Sequence, residues 1–445
     1  MRKAGLENEM PASWSIDAEW EALDSGLPEE RATFAAIGIQ AHGLWLTEGL
    51  DSLANSVRKA PRLSAYLLAE WMVWNWWRLR WEPRSTTARE WSFSHRMTTI
   101  GGGYIWPNIT IFSDGERIAL ISKPTEERPQ TPFRYIADTA IVLLASEFES
   151  GTTAFVELVL ERLNSEKIEN TNLQTICVEV LTERRNPKLA RERKLEALLG
   201  QEPGEADPEA LKQLISDSDA LGSEAVDEIA ADHAQGTTIT SAQELRSIAA
   251  VKGYDTSPRD IVRLGRGSGL PRLGEVAAWR LGAAAAKALR EQERLDGQTV
   301  SDRKLAELAG TRIDALTNRD SGGKISFALD ENPMRGRVVL RSKWDTGRRF
   351  ELARILGDRI ARQQSSRLFP ATRAYTYRQK MQRSFAAELL SPFDAVDEML
   401  NGDYSLENQQ EVAGHFNVSP MTIGTLLMNH KRIEREGFDF DIAAT

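Results

Sequence analysis

The sequence contains few of the residues from which disulfides and metal sites are built. Its single cysteine, Cys177, cannot form an internal disulfide or a thiolate-rich metal site, which is typical of a protein in a reducing compartment. The two closest of its five histidines, His415 and His430, are fifteen positions apart. An HExxH zinc site needs two histidines four residues apart. The sequence therefore excludes that site, and we expect no metal or other cofactor.

Long apolar runs and an excess of positive charge are also missing. No stretch approaches the roughly 18 consecutive apolar residues of a membrane-spanning helix, and the segment Met1–Met10 lacks the apolar core of a signal peptide. We therefore expect a cytoplasmic protein with no membrane partner. The formal net charge of −9 argues against a protein that coats nucleic acid through bulk electrostatics.

The remaining composition is that of a globular protein with more than one core. At 445 residues, with 41% hydrophobic and 27% charged residues, the chain is long enough for several domains. We predict an α+β protein that is mainly helical, with a Trp-rich domain over 1–195 and a second domain over 237–445. The segment 196–236 is predicted as an acidic linker or a loosely attached helical pair, because 201–232 contains ten acidic residues and one base, Lys212.

The first domain is distinguished by its tryptophans, ten of which lie between Trp14 and Trp106. The densest segment, 67–81, has helical periodicity with apolar residues on most sides. This pattern favours a core helix over a base-stacking platform. Further along, two β-rich runs joined by Asp114 and Gly115 predict a β-hairpin, because these residue types favour tight turns.

One functional alternative is an enzyme whose site lies in this first domain. Its loose candidate residues are His42, His95, Asp114 and Glu116. No spacing among them indicates a nucleophile and its base. The position of Asp114 in the predicted hairpin favours a role in the turn.

The second domain contains an ordered set of elements with recognisable motifs. Two short strands over 325–329 and 337–340 precede an amphipathic helix over 349–361, which overlaps the pattern RRFxLAxxLGxxI. A helix over 378–392 contains the run RSFAAELLSP. The segment 411–428 is predicted to form two helices around a tight turn in VAGHFNVSPMTI.

This order of motifs resembles the ImmA/IrrE family of zinc metallo-endopeptidases over 296–433, about a third of the chain. The resemblance implies a zincin-like helical domain with short strands. In that family the helix corresponding to 349–361 carries an HExxH motif, whose two histidines bind zinc and whose glutamate is the general base. A further glutamate, one helix later, is the third zinc ligand.

Another residue type occupies every one of these positions in this chain. The resemblance places Arg354 and Asp358 at the two histidine positions, Ile355 at the general base and Gln379 at the third ligand. Arginine offers zinc no lone pair, and isoleucine cannot move a proton. The resemblance therefore implies a pseudoenzyme with no catalytic or metal-binding residues, and by analogy a regulatory or sensor protein. Arg354 and Asp358 are expected to pair across one helical turn.

The cleft of such a domain has two interpretations. In the first, side chains fill the cleft and leave a plain helical domain with no pocket. In the second, the cleft remains as a recognition site formed by the residues at the four replaced positions together with Arg378. Between Arg341 and Arg383, twelve Lys and Arg stand against three acidic residues, a local excess of nine positive charges. We expect this charge to attract a protein partner, an acidic ligand, or the chain's own acidic segment 201–232.

A DNA-associated transcriptional regulator is the second functional alternative. The candidate contacts lie in the helix-turn-helix-like segment: Thr422, Thr425, Asn429, Lys431 and Arg432. A DNA-reading helix usually carries basic or amide side chains near its start. Here the basic residues, Lys431 and Arg432, come only after the helix, so the pattern favours a structural role for this segment.

Overall fold

The computed structural model describes residues 13–85, 90–126, 131–265, 269–318, 323–361 and 366–434. The predictions made for Met1–Met10 and for Arg362 of the basic stretch lie outside these residues. The chain divides into two compact units. The first holds the described residues up to 84 and those of 90–197, and the second holds Ser85 and the described residues from 198 onwards. The predicted class, α+β and mainly helical, is confirmed. Among the described helices, none has the length and apolar character to span a bilayer.

The first unit contains ten strands and seven helices within its described residues. Its strands are β1 (Trp14–Trp20), β2 (Phe34–Ala41), β3 (Leu44–Trp45), β4 (Gly49–Asp51), β5 (Ser56–Arg58), β6 (Arg62–Ser64), β7 (Ile109–Ser113), β8 (Arg117–Ser122), β9 (Phe133–Tyr135) and β10 (Thr139–Leu144). Its helices are α1 (Pro28–Ala32), α2 (Ala65–Trp74), α3 (Trp76–Trp81), α4 (Trp91–His95), α5 (Ala145–Ser165), α6 (Asn172–Arg185) and α7 (Pro187–Leu199), which crosses the boundary between the units.

The strands of the first unit form three small antiparallel sheets. In one sheet β1, β3 and β6 pair with β2; the other two have the orders β10–β8–β7 and β5–β4–β9. The core draws its apolar side chains from β1, β2, β7, β8, α2 and α5. Most positions of β7, β8 and α2 are buried there, as the hydrophobic effect requires of such apolar segments.

The Trp-rich segment forms two helices rather than one. The break falls at Asn75, whose backbone N–H and side-chain Nδ2 both donate to Trp71 O, at 3.1 and 2.8 Å. Trp71, Trp76 and Trp77 are buried, as expected for core helices, whereas Trp74 is exposed. The tryptophans of this segment therefore serve mainly to pack the unit.

The predicted hairpin is present. Strands β7 and β8 pair antiparallel, with Ser113 opposite Ile118. Gly115 in the turn has a φ of +100°, a conformation that glycine adopts without strain. Asp114 Oδ1 accepts a hydrogen bond from Arg117 N at 2.9 Å, so its carboxylate stabilises the turn.

The second unit contains eleven helices and four strands within its described residues. Its helices are α8 (Pro208–Leu221), α9 (Ser223–His233), α10 (Ala242–Lys252), α11 (Ala278–Gln292), α12 (Asp302–Leu308), α13 (Asp314–Thr317), α14 (Asp345–Ala361), α15 (Tyr377–Leu390), α16 (Phe393–Leu400), α17 (Leu406–Phe416) and α18 (Pro420–Asn429). Its strands β11 (Tyr254–Thr256), β12 (Ser326–Asn332), β13 (Arg335–Val339) and β14 (Leu368–Ala371) form one antiparallel sheet in the order β11–β13–β12–β14.

Helix α15 packs against α11, α14 and α18. Two glycines permit the close approach of its neighbours. A Cβ atom at Gly282 of α11 would lie 2.3 Å from Met381 O, and one at Gly357 of α14 would lie 2.5 Å from the Phe385 ring. Because these helices approach so closely, polar side chains on α14 and α15 are brought into direct contact.

From residue 198 onwards the acidic segment 196–236 belongs to the second unit, where it contains α8 and α9. Both helices are amphipathic: Leu214 and Leu221 of α8, and Val226 and Ile229 of α9, are buried. Burial of this apolar face holds the segment on the unit as a helical pair rather than as an extended connector.

Candidate functional site

Four of the five candidate cleft residues meet between α14 and α15. Arg354 and Asp358 project from α14, and Arg378 and Gln379 from the first turn of α15. Their exposed fractions are 8%, 0%, 2% and 0%. The fifth candidate, Ile355, is also buried but belongs to the apolar core of the unit.

The central contact is a bidentate ion pair between Asp358 and Arg378. Arg378 Nε lies 2.8 Å from Asp358 Oδ1, and Nη2 lies 2.6 Å from Oδ2. Burial opposes the charged form of the guanidinium, but Asp358 outweighs this effect and raises the pKa of Arg378 above its usual value. The sequence predicts a pair with Arg354 across one turn. The bidentate partner is instead Arg378 of the next helix, because two nitrogens of its planar guanidinium can bond to both carboxylate oxygens at once.

Arg354 bonds to neutral oxygens instead. Its Nη2 donates to Thr372 O at 2.7 Å and to Gln379 Oε1. Gln379 also accepts from Thr372 N at 2.9 Å and donates to Pro370 O at 3.0 Å. Burial lowers the pKa of Arg354 to about 9, and the positive charge of Arg383 adds to this effect. These contacts tie α14 to β14 and α15.

This set of side chains does not fit a zinc ion. A guanidinium offers no lone pair at the position of Arg354. Both oxygens of Asp358 are bonded to Arg378, and Gln379 Oε1 already accepts two hydrogen bonds. Over the part of the chain that the structure describes, no group of three or more His, Cys, Asp or Glu side chains is placed to hold a metal ion.

The basic stretch between Arg341 and Arg383 is used largely inside the unit. Five of its arginines bond to interior carboxylates, carbonyls or amides: Arg348, Arg349, Arg354, Arg359 and Arg378. The nine excess positive charges counted along the sequence therefore do not lie together on a surface, because a count along the chain does not separate interior cations from exposed ones. On the face of α15 that runs from Lys380 to Glu388, the positive charge comes from Lys380 and Arg383.

The acidic helix α9 contacts the loop that precedes α15. Glu228 Oε2 accepts from Thr376 Oγ1 at 2.6 Å, and Asp232 Oδ1 accepts from Arg373 N at 2.7 Å. The chain's own acidic segment therefore covers one side of the contact between α14 and α15. These hydrogen bonds go to a hydroxyl and a backbone N–H, so the predicted attraction between this segment and the cations of the basic stretch stays a prediction.

The helix-turn-helix-like pair consists of α17 and α18. Three of its candidate DNA contacts line a cleft within the unit: Thr422, Thr425 and Asn429. Arg432 is paired with Asp397, with Nη2 at 2.6 Å from Oδ2, and Lys431 is exposed. A DNA phosphate would have to compete with Asp397 for Arg432, and the polar side chains of α18 lie beside other helices of the unit.

A cleft of about 470 Å³ opens beside α15. Its walls come from α11, the start of α14, one face of α15, and α18. Trp279, Phe350 and Leu426 contribute apolar surface, while Trp344 and Met421 at the cleft are 79% and 80% exposed. The volume lies in the range of pockets that hold small molecules. The second unit therefore has a ligand-sized cleft next to the ion pair, lined by a different face of α15.

One buried carboxylate belongs to this cleft. Glu388 of α15 is only 2% exposed, and its Oε1 has no hydrogen-bond partner among the described residues. Burial raises the pKa of Glu388 to about 7, although Lys287, with Nζ at 4.0 Å from Oε1, acts in the opposite direction. Sequence reasoning missed this residue, because Glu388 occupies an ordinary helical position and its burial depends on neighbouring helices.

In the first unit, His95 belongs to a buried charged network. Its Nδ1 lies 2.6 Å from Ile111 O and its Nε2 lies 2.9 Å from Glu82 Oε2. Arg78 Nε also donates to Glu82, at 2.6 Å. Burial opposes ionisation of Glu82, but His95 and Arg78 together lower its pKa below the usual value. All three side chains are buried and bonded to one another, as in a structural network.

The other enzymatic candidates of the first unit lie elsewhere. His42 Nε2 is 3.4 Å from Val142 O of β10, whereas His95 contacts β7, the opposite edge of the same three-stranded sheet. Asp114 Oδ1 accepts from the backbone of the turn, including Glu116 N at 3.3 Å. The structure therefore does not bring these residues together in one site.

Comparison of the chain with protein-family models, with curated proteins and with solved structures finds no match.

Breaking the ion pair between α14 and α15 is expected to destabilise the second unit. Asp358→Leu leaves the Arg378 guanidinium buried without its counter-charge and should lower the free energy of unfolding by about 3–5 kcal/mol. Adding Arg378→Met should recover at least half of the lost stability, because two apolar side chains of similar volume leave no buried charge that needs a counter-charge. Urea unfolding of the wild type, of each single variant and of the double variant gives the double-mutant cycle. Additive losses would contradict the pairing.

Glu388 is expected to make stability depend on pH near neutrality. Its raised pKa means that the folded protein favours the protonated carboxyl, so this stability is present below about pH 4.5 and is lost as the pH rises through 7. Glu388→Gln should therefore gain stability over the wild type as the pH rises, by at most about 3 kcal/mol above pH 8. Urea unfolding from pH 5 to 9 measures this difference, with Glu398→Gln on α16 as the control for one lost carboxylate. A constant difference across this range would refute the assignment.

Proposed function

We propose that the second unit is a non-catalytic binding module, a metallopeptidase-like domain in which an ion-pair centre takes the place of the zinc site. The observation that carries this proposal is the set of direct contacts between α14 and α15. Asp358 is bound on both oxygens by Arg378, and Arg354 donates to Gln379. Hydrolysis would require a bound metal or a general base, and these side chains supply neither.

The binding surface that we assign is the cleft beside α15. Lys380 and Arg383 bring positive charge to its wall, which favours an acidic ligand or an acidic segment of a protein partner. Trp344 and Met421 add exposed apolar surface of the kind found at interaction sites. A regulatory or sensing role rests on the resemblance to ImmA/IrrE proteins alone. A cytoplasmic location belongs to the same proposal and is supported by the single, buried Cys177.

A DNA-binding role has weaker support. The candidate side chains of α18 line the cleft, and Arg432 is already paired with Asp397. We therefore favour the binding of a ligand or a protein over the binding of DNA.

Reversing one charge in the cleft is expected to weaken the binding of an acidic probe. Lys380→Glu should reduce the affinity for acetylated tri-glutamate amide by at least about tenfold, or 1.4 kcal/mol. Isothermal titration calorimetry of the full chain at low and moderate salt measures this effect, which salt should diminish. Lys212→Glu on α8 changes the net charge equally on an exposed surface and is the matched control. Equal weakening by both variants would contradict the assignment of the cleft.

Restoring the metal ligands is expected to restore zinc binding. The variant combines Arg354→His, Ile355→Glu, Asp358→His and Gln379→Glu, with Arg378→Met because that guanidinium would otherwise lose its partner. Metal analysis after dialysis should find about one zinc per variant chain and no stoichiometric zinc in the wild type.

The matched control carries Ala in place of both new histidines and should lose the zinc. Stoichiometric zinc in the wild-type chain would contradict the proposed function. A folded variant that binds no zinc would contradict the resemblance on which the ligand positions rest.

A further inference from the structure

One face of α15 presents opposite charges to the two ends of the cleft. The residues of α15 that line it are Lys380, Arg383, Ser384, Ala387 and Glu388, which follow the spacing of a single helix face. At about 1.5 Å of rise per residue, Glu388 lies about 7.5 Å beyond Arg383 and about 12 Å beyond Lys380 along the helix axis. A molecule that lies along α15 therefore meets cations at one end and a carboxylate at the other.

The protein satisfies only part of the hydrogen-bonding capacity of the carboxylate at its end of the cleft. Glu388 Oε1 accepts no hydrogen bond from the described residues, and Oε2 accepts only from Phe393 N, at 3.3 Å. The nearest cation, Lys287, lies 4.0 Å from Oε1, beyond hydrogen-bond distance, and is bonded to Asp394 at 3.2 Å. Arg290 donates to backbone carbonyls. An ionised carboxylate with so few hydrogen bonds is costly in the interior.

Aromatic rings surround the same end of the cleft. Trp279 and His430 both line it, and the His430 ring stacks on Phe393 with the ring centroids 3.5 Å apart. Burial, and then the charge of Lys287, lower the pKa of His430, so its ring is neutral above pH 7. A carboxylate beside aromatic rings is the combination that recognises an ammonium group.

We propose that this cleft binds a small zwitterion, with its ammonium group at Glu388 and its carboxylate toward Lys380 and Arg383. The proposal rests on the proposed function, because it names the ligand class of the same cleft. Short peptides and ω-amino acids share this chemistry. A tripeptide at about 3.3 Å per residue spans about 10 Å, which matches the separation of the charges along α15.

Binding of tri-alanine to the full chain tests this proposal. Calorimetry at about pH 7.5, where Glu388 and the ammonium group of tri-alanine are both mostly charged, should show saturable binding that Glu388→Gln weakens by at least about tenfold. Acetylated tri-alanine and tri-alanine amide each lack one of the two charges and should bind similarly weakly. Lys380→Met should weaken the binding of tri-alanine but not that of its amide, while Glu398→Gln should change neither.

The second probe, 6-aminohexanoate, separates the two sources of the zwitterion. Tighter binding than tri-alanine indicates an ω-amino acid, and weaker binding indicates a peptide. Three results would each overturn the proposal: equal binding of tri-alanine and its acetylated form, unchanged affinity in Glu388→Gln, or no binding of either zwitterion at about 10 mM. If the zwitterions fail while acetylated tri-glutamate amide still binds through Lys380, this inference falls and the proposed function stands. Zinc in the wild-type chain would remove the proposed function instead.

Discussion

The second unit depends on one interaction, the buried ion pair between Asp358 and Arg378. Removing two charges from water costs several kcal/mol for each ion. Such a pair is stable only where its geometry allows the attraction and hydrogen bonds between the ions to offset that cost. Here α14 and α15 approach closely enough, past Gly357, for the guanidinium to reach both carboxylate oxygens. This spacing also allows Arg354 to bond to Gln379 and to the chain after β14.

This constraint divides the two faces of α15 between two tasks. Arg378, Gln379 and Gln382 project toward α14 and β14, where each makes hydrogen bonds within the unit, although Arg378 Nη1 has no partner among the described residues. The face that begins at Lys380 and ends at Glu388 lines the cleft. We infer that the first face supplies rigidity and that the second, held in place by it, is the face available for recognition. Rigid helices hold the groups of a binding site more accurately than loops do.

The two units differ in how their buried carboxylates are satisfied. In the first unit, Glu82 is bonded to both Arg78 and His95, and the network is closed. In the second, Glu388 keeps an oxygen without a hydrogen-bond partner among the described residues, and burial raises its pKa to about 7. A buried polar group that lacks a partner calls for an explanation, whereas a satisfied one is accounted for by stability.

Local features of this chain could be predicted from residues that are close together along it. The hairpin at Asp114, the cap that Ser419 provides for α18, and the absence of an HExxH motif are of this kind. The partner of Asp358 could not be predicted in this way, because helical spacing brings Arg354 near it while the packing of a second helix supplies a better-matched guanidinium. The same packing decides which arginines of the basic stretch are interior and buries Glu388 beside a cleft. These outcomes depend on which helix faces meet, and periodicity along a single helix carries no information about its neighbours.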